Sequence, residues 1–424
     1  MPQPALTAHD DAHPDAASQC DVLIIGGGMV GASLAIALSA LELDVVLLDA
    51  TPPGAIPAVF DQRNLSFGEA TCNALDALGV MRHLRSPTGP IRRIHATRAG
   101  DFGRVVLEAS RHGREMFGRV VFARDFGEAL EARLAELPQV RRMRPARFHG
   151  FDADADTPTH RAVRVGEAGV ERVMHARLVV AADGTHSPVR AACAIEADVH
   201  DYGHRLIVTR LRTSKAMDGT AYERLGDAGP TALLPRGDRH YGLVLGVESG
   251  RADAVLALED AAFLEYAQDA FGWRAGRFLS CGERGVYPAM RVVARSTTAP
   301  RTVLVGNAAQ SIHPVGAQGF NLGLRDALTL SDVLTDVLAA RDVTHIGDAD
   351  VLAQHVARRC ADREQTLQFS DALARLGTLP GDGVRPLRSL ALAAIGRVSS
   401  VQATLVGGAL GYRGDVPTLC RGAA

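Results

Sequence analysis

Cysteine is scarce in this 424-residue chain, and its six copies stand far apart. Cys20, Cys72, Cys193, Cys281, Cys360 and Cys420 form no C-x-x-C pair and no metal-type spacing. That scatter excludes a disulfide framework and a redox dithiol. The fifteen histidines are equally dispersed, so no metal site is expected. Reduced thiols in a cytoplasmic protein are the reading that follows. An excess of either charge is also lacking. The formal balance is 46 − 48 = −2, with no basic tract, which removes nucleic acid from the expected partners. Residues 1–18 have neither the cationic start nor the apolar stretch of a secretory signal. They are polar, acidic and rich in Ala and Pro, and are expected to form a disordered leader. One uncharged run, Val22 to Leu41, has the length of a membrane span. Gly26, Gly27, Gly28 and Gly31 divide it into a β-type half and a helix-type half, the pattern of a buried βα unit.

Two segments stand out against that background. Asp21 to Asp49 reads DVLIIGGGMVGASLAIALSALELDVVLLD. Within it, Gly26-x-Gly28-x-x-Gly31 follows a strand and opens a helix. Gly26 permits a tight turn, Gly28 lets a pyrophosphate approach the backbone, and Gly31 lets helix and strand pack closely. Asp49 ends the second strand 21 residues after Gly28, where a carboxylate can accept ribose hydroxyls. Far along the chain, Val303 to Gly323 reads VLVGNAAQSIHPVGAQGFNLG. A strand, a small-residue turn and a glycine-rich helix start present unpaired N–H groups and a positive helix end to a ligand. Together the segments imply one extended, phosphate-bearing cofactor held at both ends. The first motif alone does not separate NAD from FAD. No second G-x-G-x-x-G is present for another dinucleotide on its own unit.

Between these segments the pattern changes. Short strands at Leu206–Leu211, Ala232–Leu234 and Tyr241–Val247, separated by Gly, Pro and charged residues, predict an antiparallel sheet. From Asp350 onward the pattern is helical. The expected fold class is α/β plus α+β: a Rossmann-type cofactor domain, an inserted antiparallel-sheet substrate domain and a C-terminal helical region. The expected boundaries are 19–75, 120–192 and 290–343 for the first, 76–119 and 193–289 for the second, and 344–424 for the third.

Four segments, GGGMVG with Asp49, DQRNLSF, VVAADGTHSPVR and VLVGNAAQSIHPVGAQGFNLGLRD, resemble the single-component FAD-dependent aromatic hydroxylases, the group that includes p-hydroxybenzoate hydroxylase. A fifth, GPTALLP at Gly229 to Pro235, resembles the ubiquinone-biosynthesis branch. The resemblance spans roughly residues 20 to 415. It implies FAD as cofactor, NADPH or NADH as transient electron donor, and O2 as co-substrate acting through a flavin C4a-hydroperoxide. The GNAAQ spelling resembles the 2-polyprenyl-6-methoxyphenol hydroxylases and implies that polyprenyl phenol as substrate. Hydroxylation at another ring position, a small soluble phenol, or a non-catalytic flavin- and lipid-binding subunit are the alternatives. A flavin halogenase would need a W-x-W-x-I signature, and Trp273 is the only tryptophan.

The resemblance also assigns residues. Gly26, Gly28, Gly31, Asp49, Arg63, Arg124, Asp183, Gly184, Asn307, Gln318, Gly319, Phe320 and Asn321 are expected to bind cofactor. Asn307 stands where the family writes Asp, so it brings hydrogen bonds without charge. The carbonyl of Pro314 is expected beside the reacting edge of the flavin. His313 can be read as a general base or as a histidine filling a turn before proline. The start of the helix near Gln318 is expected to stabilise the reduced flavin's N1–C2=O edge. Val384 to Gly411, apolar with Arg385, Arg388 and Arg397 on one flank, fits either a membrane surface or partner complex, or a helix closing the flavin domain. The expected location is cytoplasmic, with a peripheral place at the inner membrane as the second reading.

Overall fold

The computed structural model describes residues 18–55, 57, 61, 63–378, 386, 389–390 and 398–422. Residues 1–17 of the expected leader, and Arg385, Arg388 and Arg397, lie outside the described residues. The chain begins with strand β1 (Gln19–Ile25), helix α1 (Met29–Leu38) and strand β2 (Val45–Leu48). β3 (Asn64–Gly68), α2 (Glu69–Ala77), β4 (Gly89–Ile91), β5 (Arg93–Arg98), β6 (Arg104–Glu108) and β7 (Gly118–Phe122) follow. Next come α3 (Ala123–Ala135), β8 (Val140–Met143), β9 (Ala146–Phe151), β10 (Arg161–Glu167), β11 (Val170–Ala181) and α4 (Pro188–Ala192). The middle of the chain holds β12 (Ala197–Thr213), β13 (Thr220–Leu225), β14 (Thr231–Pro235), β15 (Tyr241–Glu248), α5 (Ala252–Leu256) and α6 (Asp260–Phe271). β16 (Phe278–Cys281), β17 (Gly285–Ala294), β18 (Thr298–Ala299), β19 (Thr302–Leu304), β20 (Gln310–Ser311), α7 (Gly319–Ala340), α8 (Ala349–Thr378) and α9 (Ser399–Leu410) complete it.

The first sheet runs β18-β19-β11-β1-β2-β8, with β10 and β9 attached beyond β11. β19, β11, β1, β2 and β8 are parallel. Both faces of a parallel sheet are covered, which is why its strands read as unbroken apolar runs. Alternate residues feed two cores: Val22, Ile24, Val45 and Leu47 face one cluster, and Leu23, Ile25, Val46 and Leu48 face the other. Every residue of α1 except Val30 is buried, so this helix is apolar on all sides. In register, Ile25 lies opposite Ala181 and Leu48, and Ala181 lies opposite Leu304. Four strands therefore end in one row, and the chain leaves them along one edge.

The second sheet runs β20-β17-β12-β15-β14-β13-β5-β6, with β16 also on β12. Its pairs are antiparallel except β5 with β13, so the sheet expected to be antiparallel is mixed. β5 arrives from far earlier in the chain, and no short hairpin fixes its direction. A third, small sheet joins β3, β7 and β4. Among the described residues, no helix is long and apolar enough to cross a membrane.

Candidate active site

The row of strand ends gathers most of the expected site residues. Gly26 has φ +110°, and a Cβ there would lie 2.5 Å from the Ala182 carbonyl oxygen. A Cβ on Gly31 would lie 1.9 Å from the Gly26 oxygen. Only hydrogen fits at either place, and the glycine loop is thereby pressed against the turn that follows β11. Gly28 precedes α1 in extended conformation with no side-chain cap, so the first N–H groups of that helix are free for an anion. Asp49 is 7% exposed. Its Oδ2 accepts from the Gly27 N–H at 2.7 Å and its Oδ1 from the Thr51 N–H at 2.6 Å. Each carboxylate oxygen has a second lone pair, so the side chain that shapes the loop can still accept hydroxyls.

Asp183 accepts from the Val189 N–H through Oδ2 at 3.1 Å, while Oδ1 is enclosed with no partner. Burial pushes its carboxyl above the usual carboxylate range, against the hydrogen bonds of Ser187 and Val189. Gly184 (φ +90°) would carry a Cβ into open space. Thr185 Oγ1 and Ser311 Oγ, 2.6 Å apart, tie this turn to β20. Asn307 sits exposed in the turn after β19. That turn meets α7 directly, because a Cβ on Gly323 would lie 2.9 Å from the Gly306 Cα.

The start of α7 behaves differently from expectation at two side chains. Gln318 precedes the helix and donates Nε2–H to the Gly316 carbonyl at 3.2 Å, and Gly319 opens the first turn. The Phe320 ring packs at 5.3 Å from Phe67 and 5.2 Å from Phe126. The ring is partly buried and packs against the core cluster, and the backbone of the residue forms the first turn of α7. Asn321 donates to Ser66 O at 2.9 Å and Ala317 O at 2.8 Å, and accepts from Gly68 N–H at 3.1 Å. Both donors of its amide are used, so the side chain clips α7 to β3.

His313 requires a further correction. It is completely buried. Its Nδ1 accepts from the Val315 N–H at 3.1 Å, which leaves the proton on Nε2, 2.8 Å from Nε2 of His204. His204 then carries its own proton on Nδ1, 3.2 Å from the Tyr202 carbonyl. Burial, reinforced by His204, drives the His313 pKa down to about 3. A neutral ring with both nitrogens engaged is not a general base; it braces the turn. Pro314 is exposed beside it and its carbonyl accepts the Ala317 N–H at 2.8 Å. Gly316 (φ +74°) and Ala317 (φ +51°) complete a left-handed turn, affordable for glycine and strained for alanine.

Arg63 and Arg124 come together around Asp61. Arg63 donates N–H and Nε–H to Asp61 Oδ1 at 2.8 and 2.9 Å, and the Arg124 N–H reaches Asp61 O at 3.1 Å. The Arg63 guanidinium lies 4.5 Å from the Tyr287 ring centre, and the Tyr287 hydroxyl donates to Asp61. The Arg124 side chain points outward, 3.5 Å from Glu128. Asp61 and Tyr287 are not among the expected site residues, although Asp61 stands in DQRNLSF, which resembles a family motif. A buried quartet behind α7 was also missed. Arg325 binds Asp362 at 2.7 Å, and Arg359 binds Asp326 at 2.8 Å and Asp362 at 2.6 Å.

Residues 19–368 match the family described as FAD binding domain. The chain belongs to that family. The ubiquinone hydroxylase UbiL of Rhodospirillum rubrum is 31% identical over 406 residues, covering 95% of this chain and 92% of that protein. The 3-demethoxyubiquinol 3-hydroxylase of Escherichia coli is 27% identical over 81% of this chain and 86% of that one. Among solved structures, p-nitrophenol 4-monooxygenase PnpA from Pseudomonas putida shares the fold, with a TM-score of 0.77 at 17% identity, over 94% of this chain and 99% of that one. The protein is thus an FAD-dependent hydroxylase, of a family whose usual co-substrates are NAD(P)H and O2. Its residues fit FAD. The uncapped start of α1, the unpartnered Asp183 Oδ1 and the open side of Gly184 supply donors, an acceptor and room along one edge.

Proposed function

We propose that this flavoprotein hydroxylates the aromatic ring of 2-polyprenyl-6-methoxyphenol on the route to ubiquinone. The observation that carries the reading is its kinship, near full length on both sides, with a ubiquinone hydroxylase. The GNAAQ spelling supports the choice of substrate. Bound FAD supplies the redox chemistry and the activation of O2.

The protein's own share is binding, orientation and electrostatics. The glycine loop and the start of α1 hold the pyrophosphate, Asp49 the adenosine ribose, and Asp183 a further hydroxyl. Asn307 and the start of α7 would hold the ring end. A helix N-terminus in a partly buried site stabilises an anion by about 1–2 kcal/mol, which suits a reduced flavin. Pro314 would offer its carbonyl to the ring end of the cofactor, in a turn that His313 and Asn321 hold from behind. The first sheet and its helices form the FAD-binding part, and the second sheet forms the substrate part. An apolar tail on the substrate favours a position at the inner-membrane surface.

The test uses purified FAD-loaded protein, NADPH or NADH, O2 and a short-chain 2-prenyl-6-methoxyphenol. Mass spectrometry should find one oxygen added to the ring. Nicotinamide oxidation that yields only peroxide, with this phenol and its ring-position isomers alike, would defeat the proposal.

A further inference from the structure

Glu223 places a carboxyl in unusual company. It lies in mid-β13, opposite Ala96 of β5 and Ala232 of β14. Side chains alternate along a strand, so Ala221 and Leu225 share its face. Both are buried in apolar clusters, Ala221 with Ile91 and Phe117, and Leu225 with Val315 and Ala374. Tyr222, on the opposite face, packs on Phe271. The carboxyl therefore faces the turn that holds Val315 and Gly316, and the Gly316 N–H is the group that favours its ionised form. Oε1 is enclosed and unpartnered. Among the described residues, no arginine or lysine forms an ion pair with it. Enclosing a carboxylate oxygen without a donor is costly, and such groups gather where a ligand is met. The turn runs straight into α7, whose start stands on the cofactor edge. Glu223 thus reaches from the second sheet to the seam beside that edge.

We propose that Glu223 accepts a hydrogen bond from the ring hydroxyl of the bound phenol and so fixes which ring carbon is presented to the flavin. This rests on the reading that the substrate is a phenol. A carboxylate accepting from a phenol feeds electron density into the ring, which favours attack by an electrophilic oxygen. Burial lifts the Glu223 pKa to about 7, so its charge changes near neutrality. The titratable and charged groups around it do not share that behaviour. Arg98 of β5, opposite Leu225 on the same face, is paired with Asp101 and Asp227. On the neighbouring elements, burial pushes Tyr202 up and His204 and His313 down. Asp371 is held low on balance, because Tyr202 and Arg375 outweigh its burial, and it is paired with Arg375 at 2.8 Å. Ionised Glu223 is the better acceptor, so affinity for the hydroxyl rises as pH rises through about 7.

The test is calorimetric binding to the FAD-loaded protein of a short-chain 2-prenyl-6-methoxyphenol and of its O-methyl ether, which lacks the hydroxyl. Wild type should bind the phenol about tenfold tighter at about pH 8 than at about pH 6, as befits a hydrogen bond to a charged group, and bind the ether equally at both. Glu223→Gln should lose that dependence and bind the phenol about tenfold more weakly at the higher pH, with the ether unchanged. Glu223→Asp should restore the pH dependence at reduced affinity, and it decides the matter if the Gln variant does not hold FAD. Phenol binding by Glu223→Gln that matches wild type, or equal losses for phenol and ether, would overturn the assignment and leave the phenol reading intact. Wild type that holds FAD but binds neither compound would overturn both.

Discussion

Asp49 does two things at once. It fixes the glycine loop through the Gly27 and Thr51 N–H groups, and each of its carboxylate oxygens keeps a lone pair for a further donor. Asp49→Ala leaves the buried Gly27 N–H and the half-buried Thr51 N–H without this partner, at about 1–3 kcal/mol. The apo protein should melt earlier, and FAD affinity should fall about tenfold to a hundredfold, as read by flavin fluorescence on titration. The difference between this residue and His313 shows how far the sequence is legible at this scale. Gly26, Gly31 and Asp49 act through local backbone demands that a strand–turn–helix pattern already states. His313, Phe320 and Asn321 take their roles from partners distant in sequence: His204, Phe67 and Ser66. Family position implies a site role for each, and carries no sign of the direction of their side chains.

At the scale of elements, α7 is the part on which the site leans, and α8 is what holds it. Arg325 and Asp362 are almost wholly buried. Burial would raise the Asp362 carboxyl, but Arg325 and Arg359 outweigh it and hold it below the ordinary range. Asp362→Ala leaves two guanidinium groups short of a counter-charge and should destabilise by about 3–5 kcal/mol, measured by denaturant unfolding. Replacing Arg325 and Asp362 together with Met and Leu should cost much less, since no orphan charge from that pair remains. Helix α8 was legible from its periodicity, and the strands from their apolar runs. The parallel pairing of β5 with β13 was not, since strand direction between distant segments leaves no mark in either one.

For the whole molecule, acid is the informative variable. Burial lowers the pKa of His95 to about 4 and of His313 to about 3, and it lowers His204 and His355 as well. Unfolded, each titrates near 6.5, so below that value the unfolded chain binds more protons at these sites. Each such proton removes about 1.4 kcal/mol of stability per pH unit. Glu223 and Asp183, both raised by burial, act in the opposite sense, but four histidines outnumber them. The melting temperature of the apo protein should therefore fall steadily from about pH 6.5 downward, by scanning fluorimetry at constant ionic strength. A flat profile would mean that these rings are solvated in solution.

The backbone contact between Gly306 and Gly323 has one last implication. With no side chain between them to absorb slack, helix and turn move as a single casting, and Asn307 follows any tilt of α7 in full.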